Sequence, residues 1–168
     1  KVTDLEARFI KAAYERRVNG SIIKQDQIMD ALINDYPEYW QLRVNSGYIK
    51  NQLLDATGSE KRWNEALDIY PNSYEALRSL AFLHIETGDF TMLPIENRDL
   101  EKAENYFEKI REIDPNSSRP DRYLGNIYRK QNDLDKALAA YQRSNNMIED
   151  KESNPYRNGL LMEGHVYT

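Results

Sequence analysis

Between Tyr123 and Gln142 the chain reads YLGNIYRKQNDLDKALAAYQ, two stretches of apolar residues at helical spacing joined by a short polar break. The predicted local structure is helix, turn, helix, and the pattern recurs. A small residue followed by an aromatic or long side chain stands at Ala13, Gly47, Ala81, Gly125 and Gly164, in steps of 34, 34, 44 and 39 residues. Prolines recur independently at Pro37, Pro71 and Pro115, in steps of 34 and 44. Two separate markers share one base period and one lengthened third unit. A period of this length is the signature of a helical repeat array, in which stacking neighbours bury the stripe that no single helix pair can bury alone.

The packing logic follows from residue sizes. Gly or Ala at 13, 47, 81 and 125 lets the two helices of a unit approach closely, and Ala103 and Ala137 do the same from the second helix. Trp63, Phe107 and Tyr141 fill the space beside each close contact. A bulky residue at Gly125 should overpack the crossing, at a cost of about 1–3 kcal/mol. Pro37, Pro71 and Pro115 close the second helices, because the residue before proline avoids helical angles. Ten extra residues fall within DFTMLPIENRDL, near 90–99. Pro94 suits a first helical turn, so the insert is expected to lengthen the second helix of unit three at its start. Asp99 and Asp133 are the expected N-caps of the helices that follow them.

Period and residues together resemble the tetratricopeptide repeat, a 34-residue helix-turn-helix. Residues 118–150 carry the resemblance best, with Leu124-Gly125, Tyr128, Ala137 and Tyr141. Residues 74–117 carry Leu77, Leu80-Ala81, Gly88, Ala103, Phe107 and Pro115, with His84 in the slot of the family's tyrosine. Residues 40–73 carry Gly47, Trp63, Ala66 and Pro71, and residues 6–39 carry Phe9, Ala12-Ala13, Gly20, Met29, Leu32 and Pro37. The pattern departs from the family at Arg43 and Asp121 in the bulky apolar slot, at Arg16 and Lys50 in the tyrosine slot, and at Gln25 and Ser144 in the alanine slots. The resemblance implies an all-α fold, a right-handed α-solenoid of stacked helix-turn-helix repeats. The units are expected over 6–39, 40–73, 74–117 and 118–156, with a partial fifth over 157–168.

Composition narrows the chemistry. Charged residues make up 30% and apolar residues 40%, which fits a folded chain. No apolar run approaches the roughly 20 residues of a membrane span. The start lacks both an initiator methionine and a signal-peptide pattern, so a piece of a longer or processed chain is expected. The absence of cysteine excludes disulfides, thiolate zinc sites and cysteine nucleophiles. A net charge of −5 argues against nucleic acid as the partner. No phosphate loop, no paired metal-ligand spacing and no catalytic motif appears, so no catalytic residue, cofactor or metal is assigned. His84 reads as a packing residue, and the Asn-X-Ser matches at Asn19 and Asn116 as accidental.

Recognition is the expected role. In stacked arrays of this kind the first helices line a concave surface. Residues one turn from the packing slots are expected there: Lys11, Tyr14, Asn45, Tyr48, Arg78, Phe82, Arg119, Arg122, Tyr123, Asn126 and Arg129, together with Gln41 and Lys130. The set is rich in arginine, asparagine and aromatics. The second helices are acidic: six Asp/Glu against three Lys/Arg over 99–114, and four against two over 133–150. The expected function is a protein-interaction scaffold whose concave face binds a peptide or partner segment, acidic in character. Arg122, Arg129 and Asn126 would hold its carboxylates, and Tyr48, Phe82 and Tyr123 would supply apolar area. Some members of the family clamp the acidic tail of heat-shock chaperones; here Met162, or else Glu75 and Ser79, stand where that clamp needs Asn, Lys and Arg, so no such clamp is expected. Two alternatives remain open. One is self-association through Leu160, Leu161 and Val166 of an open last unit, and the other is a regulatory appendage of an enzyme beyond this sequence.

Overall fold

The computed structural model describes residues 3–85 and 92–148. Among them are eight α-helices in four antiparallel pairs: α1 (Asp4–Arg17) with α2 (Ile22–Asp35), α3 (Trp40–Gln52) with α4 (Ala56–Ile69), α5 (Tyr74–His84) with α6 (Leu100–Ile113), and α7 (Arg119–Lys130) with α8 (Leu134–Asn146). Each helix packs on its neighbours in the chain, within and between pairs. This is the all-α solenoid that the repeat period implies. The fifth, partial unit expected over 157–168 lies outside the described residues, with Leu160, Leu161 and Val166.

Side-chain caps fix most helix starts. Thr3 and Glu6 form a reciprocal capping box on α1. Ser21, Asp55, Ser73, Asp99 and Asp133 accept backbone N–H groups at the starts of α2, α4, α5, α6 and α8. Asp99 and Asp133 cap as expected. The turn between the helices of a unit uses one residue at positive φ: Gly20, Leu54 and Asn132, at +67°, +64° and +62°. These occupy equivalent places in units one, two and four. Leu54 holds the left-handed conformation without glycine's freedom, and its side chain is 77% exposed.

The insert follows another course than the one expected. Pro94 precedes a short 3₁₀ turn, Ile95–Asn97, and Asp99 starts α6 afresh. α6 has 14 residues, as α2 and α4 do, so the insert does not lengthen it. The reason is the competition of caps. Asp99 accepts from the N–H groups of Glu101 and Lys102 at 3.0 and 3.1 Å, which sets the helix start downstream of Pro94. Leu93 anchors the returning chain. It is buried, its N–H donates to the Leu83 carbonyl, and its own carbonyl accepts from Arg98 Nε at 2.8 Å.

The small-residue positions behave as steric reasoning requires. A Cβ built on Gly47 would lie 2.2 Å from Trp63 Nε1, and one on Gly125 would lie 2.4 Å from Tyr141 Cε1. Tyr141 is buried and its hydroxyl donates to Asn126 Oδ1 at 2.9 Å, so the ring has little room to retreat. Gly125→Ala should therefore destabilise the protein by about 1–2 kcal/mol, even though alanine is favoured over glycine in a helix by about 1 kcal/mol. Chemical denaturation checks this, and Gly125→Ala at or above wild-type stability would contradict it.

The polar departures from the repeat pattern carry their own partners. Arg43 donates to the Pro37 carbonyl and approaches Glu65. Lys50 meets Asp26 at 2.6 Å and Asp30 at 3.6 Å, and Arg62 also reaches Asp30. Burial alone would lower the Lys50 ammonium, but the hydrogen bond and charge of Asp26 raise it above its ordinary value. Asp121 is fully buried and accepts from Arg143 Nε at 3.0 Å and Arg111 at 3.4 Å. Each of these charges replaces an apolar contact with an ion pair that crosses from one helix to another.

His84 is a buried ring beside Tyr106, as its packing role implies. Its Nδ1 accepts the Asp99 N–H at 3.2 Å, and Nε2 lies 3.7 Å from Glu60 Oε1 with no hydrogen bond. The charged groups facing it are Glu60 from α4 and Asp99 and Lys102 from the start of α6. Burial lowers its pKa, against the pull of Glu60, because the charged ring loses water and Nδ1 could no longer accept from Asp99. The fold thus favours the neutral form. This contribution is full above the ordinary histidine value of about 6.5 and is lost as pH falls below it. Between pH 7.5 and 5.5, the wild type should lose more stability than His84→Gln, and equal slopes would contradict the assignment.

Candidate binding face

The first helices α1, α3, α5 and α7 bring their exposed sides together on one face of the array. Side chains link them in series: Arg16 of α1 to Gln52 of α3, Ser79 of α5 to the Tyr48 hydroxyl of α3, and Phe82 of α5 to Tyr123 of α7. Two larger clefts open here, mainly toward the N-terminal halves of these helices, and a smaller one of 130 Å³ lies further along α1 and α3, lined in part by Ala13, Asn45, Tyr48 and Gln52.

The first cleft, of 260 Å³, lies between α5 and α7 and is lined by Tyr74, Arg78, Phe82, Phe107, Ile110, Arg119, Pro120, Arg122 and Tyr123. Its floor is aromatic. Tyr123 stacks on Phe107 at 4.9 Å and meets Phe82 edge-on at 5.0 Å. Arg78 lies over Phe82 and Arg122 over Tyr123, at 5.9 and 5.5 Å from the ring centroids. Among the described residues, Arg78, Arg119 and Arg122 form no ion pair, whereas Arg8, Arg43, Arg62, Arg111 and Arg143 all meet carboxylates. Arg78 Nε is buried and donates to nothing. Asp121, next in sequence to Arg122, spends its charge on Arg111 and Arg143 instead. Three guanidinium groups therefore surround one apolar floor with their charge unanswered, an arrangement suited to an anion.

The second cleft, of 640 Å³, lies between α1 and α3 and is lined by Leu5, Glu6, Phe9, Ile10, Tyr39, Gln41, Leu42 and Asn45. It is predominantly apolar, and Ile10 is 61% exposed. Its one ionisable carboxylate, Glu6, is held by the backbone N–H and hydroxyl of Thr3, which lower its pKa.

The residues expected on the binding face are thus distributed unequally. Arg78, Phe82, Arg119, Arg122 and Tyr123 come together in the basic cleft, where Phe82, 8% exposed, is floor rather than open surface. Asn45 and Gln41 line the apolar cleft. Tyr48 is half-buried against Trp63 at 5.5 Å, and its hydroxyl is engaged by Ser79. Asn126 accepts from Tyr141, and Arg129 stands by the same hydroxyl. Lys11 and Tyr14 are exposed on α1 but line neither cleft, and Lys130 is exposed at the end of α7. Leu5, Phe9, Ile10 and Tyr39 were not anticipated. Their signal is present in α1, whose apolar residues Leu5, Phe9, Ile10, Ala12, Ala13 and Tyr14 cover more of the helix than one packing stripe needs. Among the described residues, no group of three His, Cys, Asp or Glu could hold a metal, and no helix is long and apolar enough to cross a membrane.

Comparison with known proteins agrees with this architecture. The family model described as Tetratricopeptide repeat matches residues 124–151. No curated protein matches the chain. Among solved structures, a tetratricopeptide repeat protein from Parabacteroides merdae is similar at a TM-score of 0.77 and 17% identity, over 97% of this chain and 60% of that one. MamA is similar at 0.71 and 13% identity, over 91% of this chain and 81% of its own. A MamA RS-1 double mutant is similar at 0.69 and 13% identity, over 99% and 97%. One unit, residues 124–151, thus matches the tetratricopeptide repeat in sequence, and the array as a whole shares the fold of solved tetratricopeptide-repeat structures.

Proposed function

We propose that the first-helix face is a concave binding surface that takes an acidic segment of a partner protein, and that the chain binds rather than catalyses. The observation that carries this reading is the trio Arg78, Arg119 and Arg122, without ion-pair partners around an aromatic floor. Arginine in such a position offers a planar fork to carboxylates, and the cation–ring contacts hold Arg78 and Arg122 ready for it. Arg8, Arg43, Arg62, Arg111 and Arg143 are neutralised by carboxylates of the fold. Arg16, Arg17, Arg98 and Arg129 also lack ion pairs among the described residues, but Arg78, Arg119 and Arg122 are the ones gathered around an aromatic floor.

Fluorescence anisotropy with a pool of Asp/Glu-rich peptides tests this. The pool should bind, bind more weakly as salt rises, and be lost on Arg119→Glu with Arg122→Glu while helicity is unchanged. Equal binding of an Asn/Gln-rich pool would remove the electrostatic basis of the proposal.

A further inference from the structure

We infer that the two clefts act together on one continuous segment of the partner, which carries bulky apolar residues at one end and acidic residues at the other. This rests on the proposed acidic-segment function and adds to it the apolar half, the polarity and the spacing.

The geometry points to one track. The apolar cleft is lined from the first halves of α1 and α3, and Tyr74, Arg78, Arg119, Arg122 and Tyr123 of the basic cleft come from the first halves of α5 and α7, above a floor of Phe82, Phe107 and Ile110, so the two lie at about the same level of the array. From the α1–α3 cleft to the α5–α7 cleft is two repeat steps. With neighbouring first helices about 10 Å apart, the span is about 20 Å, or about six residues of extended chain. On the α3 wall of the apolar cleft, the side-chain oxygen of Asn45 accepts no hydrogen bond among the described residues, while its amide is fixed on the Gln41 carbonyl at 2.8 Å. It is placed to accept a backbone N–H from a segment that crosses.

Charge sets the direction. The apolar cleft holds a carboxylate, Glu6, and no cation; the basic cleft holds three arginines and no carboxylate. An acidic end is repelled from the first and attracted to the second. The apolar cleft, with Phe9, Ile10 and Tyr39 open to solvent, offers the apolar end the larger volume. Joining two weak contacts in one chain raises the effective concentration of the second, most strongly when the linker length matches the span.

The test uses synthetic peptides: Leu-Phe-Leu joined to Glu-Asp-Glu by Gly/Ser spacers of about two, six or twelve residues, in both chain directions, and each half alone. The six-residue spacer, in one direction, should bind at least ten-fold tighter than either half. Ile10→Asp, at an exposed position, should reduce it to the level of the acidic half, and Arg119→Glu to that of the apolar half. A bipartite peptide no tighter than the acidic half, or one indifferent to Ile10→Asp, overturns the inference and leaves the acidic-segment function standing. If the acidic half also fails to bind, both fall. Binding to a second copy of the chain instead, seen as concentration-dependent mass with no peptide effect, overturns it as well.

Discussion

Trp63→Ala should lower the unfolding free energy by about 3–5 kcal/mol, a large share of the roughly 5–15 kcal/mol that holds a domain of this size together. Trp63 is 0% exposed, and its indole fills the space that Gly47 leaves between α3 and α4. Its Nε1–H donates to the Val44 carbonyl at 3.1 Å, and its ring meets Tyr48 edge-on. Alanine would remove all three contacts and leave a cavity lined by groups fixed on other helices. Because each unit of an array touches only its neighbours, hydrogen-exchange protection should fall first in α3 and α4. Trp63→Phe should keep most of the stability, since the ring volume remains. A loss below about 1 kcal/mol for Trp63→Ala would mean that the unit does not depend on this close approach.

The second large effect belongs to binding. A hydrogen bond to a charged group contributes about 1.5–3 kcal/mol. Losing Arg119 and Arg122 as donors therefore removes about 3–6 kcal/mol, or about 10²–10⁴-fold in affinity for an acidic segment, and glutamate adds repulsion. Arg119 is exposed and Arg122 half-buried, so the substitutions spare the core, and circular dichroism should be unchanged. Arg111→Glu, on α6, is the contrasting variant. Its guanidinium already serves Glu108 and Asp121, so its loss should reduce stability and leave acidic-peptide affinity within a few-fold. If both substitutions weakened binding equally, net charge rather than the cleft would be the cause.

The repeat was legible because its signals are local and redundant. Small residues at Gly47 and Gly125 must face a bulky partner, and Trp63 and Tyr141 stand 16 residues further on in both units. The caps at Asp99 and Asp133 were legible for the same reason, since a cap needs only the next three residues. The insert was misread because Pro94 is compatible with a helix start, and only the nearer cap at Asp99 decides where α6 begins. The polar slots were opaque. Arg43, Lys50 and Asp121 look like flaws until Glu65, Asp26 and Arg143 meet them from another helix, and no spacing rule announces those meetings. Of the proposed binding face, only part of the geometry was legible. Helical spacing placed the arginines on the first helices, but it could not show that Asn126 and Tyr48 are already engaged within the fold. Nor could it show that Phe9, Ile10 and Tyr39 remain open, because an apolar residue at helical spacing reads as core whether or not anything covers it.

An acidic segment is proposed to bind the first-helix face around Arg78, Arg119 and Arg122. Backbone amide shifts of the isotope-labelled protein, titrated with the Asp/Glu-rich peptide pool, test it most directly. The largest shifts should fall at 74–82 and 119–123 and vanish in the Arg119→Glu, Arg122→Glu variant. Shifts centred on α6 and α8, or no shifts at all, would contradict it.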